Sequence, residues 1–229
     1  MDDMFEAVLF DCDGVLVDSE PITNGVLREV LNESGWALTQ AECMQIFIGK
    51  AVRDERARIE AETGQPLTDA WMQAFYDRRN ARLLAELKAV HGAVAAVAAI
   101  HHQVGGRIAC ASGADRPKVV MQLDHVGLLP YFGDAIFSGH DQPRSKPAPD
   151  VYLAAAAHLG VDPARCLVVE DTATGARAGL AAGATVWGYC PEGHGRAFEG
   201  LDVARVFGHM DELRACFRSA RGRVGTQSG

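Results

Sequence analysis

Nowhere does the chain reach the roughly 18 consecutive apolar residues that a membrane-spanning helix needs, so no membrane partner is expected. Basic residues are scarce. Twenty-two Lys and Arg stand against 30 Asp and Glu, a formal net charge of −8. A phosphate backbone demands clustered Lys and Arg, and no nucleic-acid partner is expected either. The six cysteines (Cys12, Cys43, Cys110, Cys166, Cys190, Cys216) form no C-x-x-C pair and no Cys/His group at zinc spacing. Cys110 and Cys166 sit inside apolar runs and read as small buried hydrophobes, a pattern that suits a reducing compartment. The opening residues, MDDMFEAVLFDCDG, are acidic where a secretory signal is basic, so the expected location is cytoplasmic. Aromatic residues make up only 7% of the chain, and Trp36, Trp71 and Trp187 form no stacking array; they read as packing residues. Nothing marks an interface. A monomer is the expectation.

What remains is ordinary globular material: 48% hydrophobic and 23% charged residues, which argues against disorder. A chain of 229 residues is one large domain or one domain carrying an insertion, and it buries enough surface to need no disulfide or structural zinc. Short apolar runs bounded by turn signals recur at Ala7–Phe10, Arg107–Ala111, Ala135–Ser138, Cys166–Val169, Thr185–Tyr189 and Ala204–Phe207. Their length and β-branched content predict strands buried on both faces. Helix-length segments alternate with them at Ala93–His102, Lys118–His125, Val151–Leu159 and Gly175–Ala182. Strand and helix in alternation predict an α/β fold with a doubly wound parallel sheet.

One interval breaks that rhythm. Ile22, Val26, Leu27, Val30 and Leu31 form a helical stripe that stops at Gly35, and further helices are predicted over Thr39–Phe47, Val52–Glu62 and Ala70–Leu87. The expected organisation is a core from 1–15 and 88–220, an all-helical insertion over 16–87, and a frayed tail over 221–229.

The chemistry gathers at strand ends. The first strand runs into FDCDG, and regular alternation would put Asp11 and Asp13 on one face with Cys12 pointing elsewhere. In an open parallel sheet, ligands bind at the carboxyl ends of strands, where this pair falls. An EF-hand is excluded, because Val15 and Ile22 stand where a calcium loop needs oxygen ligands. The fourth strand closes on Glu170 and Asp171, which have no packing rationale after four apolar residues. Two carboxylates 4 Å apart repel by about 4 kcal/mol at an effective dielectric near 20, so four in one crevice call for a cation. An oxygen-only donor set suits Mg2+. The second strand ends in ACASG, offering the Ser112 hydroxyl and the N–H groups of Gly113 and Ala114 to a phosphate oxygen. Lys146, held extended before Pro147, can project into the same crevice. Taken singly, these groups also read as solvated aspartates, a capping serine and a solvated lysine.

Taken together, Asp11–Gly14, Ser112, Lys146 and Glu170–Asp171 occur in the order of the motifs of the haloacid dehalogenase-like hydrolases, and the chain resembles that family from Glu6 to about Phe207. GLLPYF at Gly127–Phe132 and SKPAPDVYLAA at Ser145–Ala155 are similar to the subgroup whose helical cap follows the first strand. The resemblance implies a Rossmann-like core, a mobile cap and Mg2+-dependent phosphoryl transfer to a small phosphorylated metabolite. It implies that Asp11 is the nucleophile and Asp13 the acid and base. Mg2+ would be held by the Asp11 carboxylate, the Asp13 backbone carbonyl and Asp171, with Glu170 close by or coordinating through water. Ser112, Gly113 and Lys146 would hold the phosphoryl oxygens.

Within the family, Asp13 argues against dehalogenation, because a halide leaves without a proton. A β-phosphoglucomutase-type activity is the main alternative; such mutases resemble this chain but carry a cap His at the position of Thr23. A non-enzymatic sugar-phosphate-binding protein is a further alternative, disfavoured because every motif residue is present. The implied reaction is hydrolysis of a sugar or sugar-acid phosphate, such as a phosphogluconate. In FIGKAVRDE, Gly49 marks a break, and Lys50 and Arg53 read either as substrate contacts over the crevice or as solvated charges. His194 reads as a loop residue that either approaches substrate or stays on the surface, and His101 and His102 as favourable charges at a helix end.

Overall fold

The computed structural model describes residues 5–47, 52–191 and 195–221. The chain forms two compact units, passing to the second between Val17 and Asp18 and returning between Lys88 and Ala89.

The larger unit is built on six strands: β1 (Ala7–Phe10), β2 (Ile108–Ser112), β3 (Ile136–Ser138), β4 (Cys166–Glu170), β5 (Thr185–Tyr189) and β6 (Arg205–Phe207). They form one sheet in the order β3-β2-β1-β4-β5-β6, every neighbour parallel. Leu9 is in register with Ala109 on one side and Val168 on the other. All residues of β1, β2 and β4 are buried, which is why they read as unbroken apolar runs. The edge strands β3 and β6 are only three residues long, and β6 exposes Arg205 and Val206; short, charged edges resist pairing with another chain.

The smaller unit contains α1 (Glu20–Glu33), α2 (Gln40–Phe47), a 3-10 turn (Val52–Glu55), α3 (Arg56–Thr63) and α4 (Asp69–Glu86). Pro21 suits the first turn of α1, where its missing N–H has no partner to lose. Gly64, in the left-handed region at φ 66°, ends α3, and the Thr68 hydroxyl accepts from Trp71 N at 3.1 Å to start α4. Leu27, Leu31, Phe47, Ile59 and Phe75 lie in its core. Arg78 ties α4 to α1 through Glu29 and Glu33, at 2.9 and 2.8 Å. The single helix expected over Val52–Glu62 is divided here into a 3-10 turn and α3.

Around the sheet lie α5 (Ala93–Gln103), α6 (Arg116–His125), the short α7 (Leu129–Phe132), α8 (Asp150–Leu159), α9 (Ala173–Ala181) and α10 (Met210–Arg221). Helices α7 and α10 are not among those predicted from the sequence; α10 is anchored by buried Met210 and Leu213, with Met210 against Gly92. The strand order reverses at β1. Connections to β2 and β3 run one way, and the α8 crossover carries the chain back past β1 to β4. That switch point leaves a crevice at the carboxyl ends of β1 and β4.

Candidate active site

β1 delivers Asp11 directly into that crevice. Its N–H still bonds to Val169 O at 3.0 Å, so the residue is held by the ladder even as the strand ends. The chain then reverses: Leu16 N and Val17 N both bond to Cys12 O, and Gly14 N bonds to Val17 O at 2.9 Å. Gly14 adopts φ +82°, and a Cβ there would fall 2.0 Å from Asp171 Oδ2. Glycine is therefore required twice, for the turn and for the carboxylate packed against it.

β4 ends on Glu170, which is 1% exposed and surrounded by donors. Oε1 accepts from Lys146 Nζ at 2.6 Å and from Tyr152 OH at 2.8 Å. Oε2 accepts from Asp171 N, Thr172 N and Thr172 Oγ1 at 3.1–3.2 Å. Thr172 also caps α9, its hydroxyl accepting from Gly175 N at 3.1 Å. The absence of a side chain at Gly175 makes room for the carboxylate, because a Cβ there would lie 1.7 Å from Glu170 Oε1.

Lys146 comes from the loop ahead of α8. Its ammonium donates to Asp11 Oδ1 at 2.6 Å, Glu170 Oε1 at 2.6 Å and Ala111 O at 2.9 Å. These contacts use all three of its protons, so gripping a phosphoryl oxygen requires exchanging one of them. Nζ also lies 4.8 Å from the centre of the Tyr152 ring. Burial works against the Lys146 charge, but Asp11 and Glu170 outweigh it and hold the ammonium well above the usual lysine range. Burial pushes the Asp11 carboxyl up to about 7; Lys146 pulls it down, while Glu170 and Asp13 reinforce the rise.

Donor oxygens of Asp11, Glu170 and Asp171 lie within 4.8 Å of one another. Burying three acidic groups this close together is unfavourable without a cation, and a hard divalent cation matches the all-oxygen donor set.

Asp13 is held separately. Lys118 Nζ donates to its Oδ1 at 2.7 Å, and Gln122 Nε2 donates to the same oxygen at 3.0 Å. Both donors come from α6, and neither was singled out from the sequence. The available signal is that Lys118 and Gln122 share the buried face of α6 with Val119 and Leu123, where apolar residues would be expected. Cys12, between the two aspartates, is fully buried, and its thiol donates to Gln122 Oε1 at 3.8 Å. Tyr152, Thr172 and Gly175 were missed likewise.

Ser112 is buried at the end of β2, with Gly113 exposed beside it. The Ala114 N–H, expected to face a phosphate, donates instead to Ser112 Oγ at 3.0 Å. Ser138, at the end of β3, braces this turn by donating to Ala114 O at 2.6 Å. The first turn of α6 is closed by Asp115, whose carboxylate accepts from Lys118 N at 3.0 Å. In the helical unit, Arg53 is exposed on the 3-10 turn, 3.8 Å from Asp69. Gly49, Lys50 and His194 lie outside the described residues.

Known proteins are similar to this chain in sequence and fold. The profile of the haloacid dehalogenase-like hydrolases matches residues 5–183. The 6-phosphogluconate phosphatase of Escherichia coli (strain K12) is 32% identical over 218 residues, covering 95% of this chain and 96% of the relative. A phosphoglycolate phosphatase of Nitrosospira multiformis is 31% identical, covering 86% and 87%. Among solved structures, a HAD family hydrolase from Deinococcus radiodurans R1 with bound phosphate and sodium superposes with a TM-score of 0.78 at 36% identity, covering 96% and 98%. The matched span runs from the first strand through the acids that close β4, and the chain belongs to the haloacid dehalogenase-like hydrolase family.

Proposed function

We propose that the protein is a Mg2+-dependent phosphatase that hydrolyses a small sugar or sugar-acid phosphate through a phosphoaspartate on Asp11. The observation that carries this reading is the meeting of Asp11, Glu170 and Asp171 oxygens, with Lys146 paired to Asp11 and Glu170. Mg2+ bound by Asp11, Asp171 and the Asp13 carbonyl would offset negative charge there and favour charge on the phosphoryl oxygens. Glu170, with both oxygens already accepting, acts from close by: it orients Lys146 and the Asp171 turn.

An Asp11 carboxylate oxygen forms a bond to phosphorus while the ester P–O bond breaks and its electron pair leaves on the alcohol oxygen. The Asp13 carboxyl gives that oxygen a proton. As a carboxylate, Asp13 then takes a proton from water, whose oxygen bonds to phosphorus and releases Asp11. Ser112 and Gly113, with Lys146, hold the transferred oxygens.

The 6-phosphogluconate phosphatase that matches nearly the whole chain supports a sugar-acid phosphate, and the phosphate bound in the Deinococcus structure supports the phosphoryl site. Lys50 and Arg53 are the residues proposed to meet a substrate carboxylate. The expected compartment is the cytoplasm; among the described residues no helix is long and apolar enough to cross a membrane.

The test is a panel of 6-phosphogluconate, phosphoglycolate and β-glucose 1-phosphate, scored for inorganic phosphate with Mg2+ and with EDTA. Phosphate release that requires Mg2+ and favours the sugar acid is expected. Conversion of β-glucose 1-phosphate to glucose 6-phosphate in place of phosphate release would make the protein a mutase. Ligand binding without turnover would make it a binding module.

A further inference from the structure

We infer that Lys118 and Gln122 are positioning residues that aim the Asp13 carboxyl at the leaving-group oxygen. The inference rests on the reading of Asp13 as proton donor. Lys118 is 6% exposed and Gln122 fully buried, so neither serves as a solubilising surface group. Burying an ammonium among apolar side chains is unfavourable unless it is paired, and Lys118 is paired with Asp13 at 2.7 Å. An apolar residue at either position would pack the face of α6 without that cost. What the polar pair adds is orientation: with Oδ1 accepting from both donors, the proton that Asp13 gives is carried on Oδ2.

A single donor lets a carboxyl group pivot about the contact. Two donors meeting on one oxygen from the same helical face, four residues apart, restrict both its position and its rotation. The clamp is itself locked at both ends. The start of α6 is fixed by the Asp115 carboxylate on Lys118 N. The Gln122 amide is fixed by the Cys12 thiol on Oε1, which leaves Nε2 facing Asp13. Cys12 therefore belongs to the arrangement through its buried S–H, and not as a reactive thiol. Asp11 is gripped by Lys146, from another part of the chain. The two aspartates are two residues apart in sequence yet set independently.

The experiment separates orientation of Asp13 from general stability by varying the leaving group. Proton donation matters for a sugar alcohol and hardly at all for p-nitrophenolate. Because kcat/KM reports steps up to departure of the leaving group, it isolates that proton. We would measure kcat/KM for 6-phosphogluconate and p-nitrophenyl phosphate in wild type, Lys118→Met, Gln122→Met and Asp13→Asn. Lys118→Met is expected to lose about 10–100-fold on the alkyl ester, part of the effect of a general acid, and less than about threefold on the aryl ester. Gln122→Met should show the same pattern with a smaller loss. With p-nitrophenyl phosphate, kcat should fall and a stoichiometric burst of p-nitrophenol should appear, because hydrolysis of the phosphoaspartate needs the same carboxyl. An unchanged circular dichroism spectrum, with aryl kcat/KM within about threefold of wild type, shows that the two α6 variants are folded.

Equal loss on both esters, or no loss on either, in the two α6 variants overturns the inference. If Asp13→Asn discriminates between the esters and the α6 variants do not, the inference fails alone. If Asp13→Asn does not discriminate, the reading of Asp13 fails and takes the inference with it.

Discussion

A methyl group at position 175 should disable the site without touching any group proposed to contact substrate. In Gly175→Ala the new Cβ would lie 1.7 Å from Glu170 Oε1 and 2.0 Å from its Cδ, where real Cβ contacts stay beyond 3.0 Å. The carboxylate must therefore retreat by about 1.3 Å, or the first turn of α9 must move by as much. A shift of α9 would displace the Thr172 cap and its bonds to Glu170 Oε2. A retreat of the carboxylate that lengthens its bonds to Lys146 and Tyr152, now 2.6 and 2.8 Å, would leave Lys146 facing Asp11 alone and a buried carboxylate without its ammonium. Breaking one side of such a pair costs about 3–5 kcal/mol. For a chain of this length that corresponds to a fall in Tm of about 6–20 °C.

Thermal melting of purified protein, followed by circular dichroism, reads this directly. Gly25→Ala is the control: Gly25 lies within α1, a Cβ there meets nothing within 4 Å, and alanine should be neutral or stabilising by about 0.5–1 kcal/mol. A double-mutant cycle sharpens the test, because Glu170→Ala removes the obstructed group. The added methyl should then cost little in the Glu170→Ala background. A Gly175→Ala protein that melts within about 2 °C of wild type would refute the contact between Glu170 and α9.

Four further outcomes follow from the same geometry. Asp11→Asn should abolish phosphate release while leaving the circular dichroism spectrum unchanged; wild-type turnover would reject Asp11 as nucleophile. Mg2+ at about 100 times its Kd should stabilise the protein by about 2.7 kcal/mol, seen as a rise in Tm that EDTA reverses and Asp171→Asn eliminates. Gly14→Ala should lose the same Mg2+-dependent rise, since its Cβ would fall 2.0 Å from Asp171 Oδ2 at a φ of +82°. Lys146→Met should destabilise by about 3–5 kcal/mol, measured by urea unfolding, because Asp11 and Glu170 would remain buried without their shared ammonium.

The sheet was legible because its central strands are buried on both faces. Ala7–Phe10 and Thr185–Tyr189 have the same ends in sequence and structure, and the others shift by a residue or so. The acids at the ends of β1 and β4 stood out because charged groups closing apolar runs have no packing purpose. Lys118 and Gln122 did not stand out. On a helix drawn as an apolar stripe, a lysine and a glutamine look like breaks in the pattern, and only the fold shows that these breaks face Asp13. Gly175 was harder still: its purpose is the space it leaves, and nothing in the sequence says which carboxylate will occupy it. The helix α10 is absent from the predicted helices although Met210, Leu213 and Phe217 recur at helical spacing, and buried Met210 and Leu213 seat it.

These differences share a cause. Strand ends announce chemistry through residues that packing disfavours, whereas the groups that orient them lie on helices whose faces become defined only after the sheet has formed. Asp11 and Asp13 illustrate the consequence. They come from one short segment, and alternation alone would give them similar surroundings. The topology instead brings the loop before α8 to the first and the face of α6 to the second, so each carboxyl has its own ammonium. A nucleophile must approach phosphorus while a proton donor must reach the departing oxygen. Two lysines on separate elements allow those positions to differ, which one lysine bridging both side chains would not.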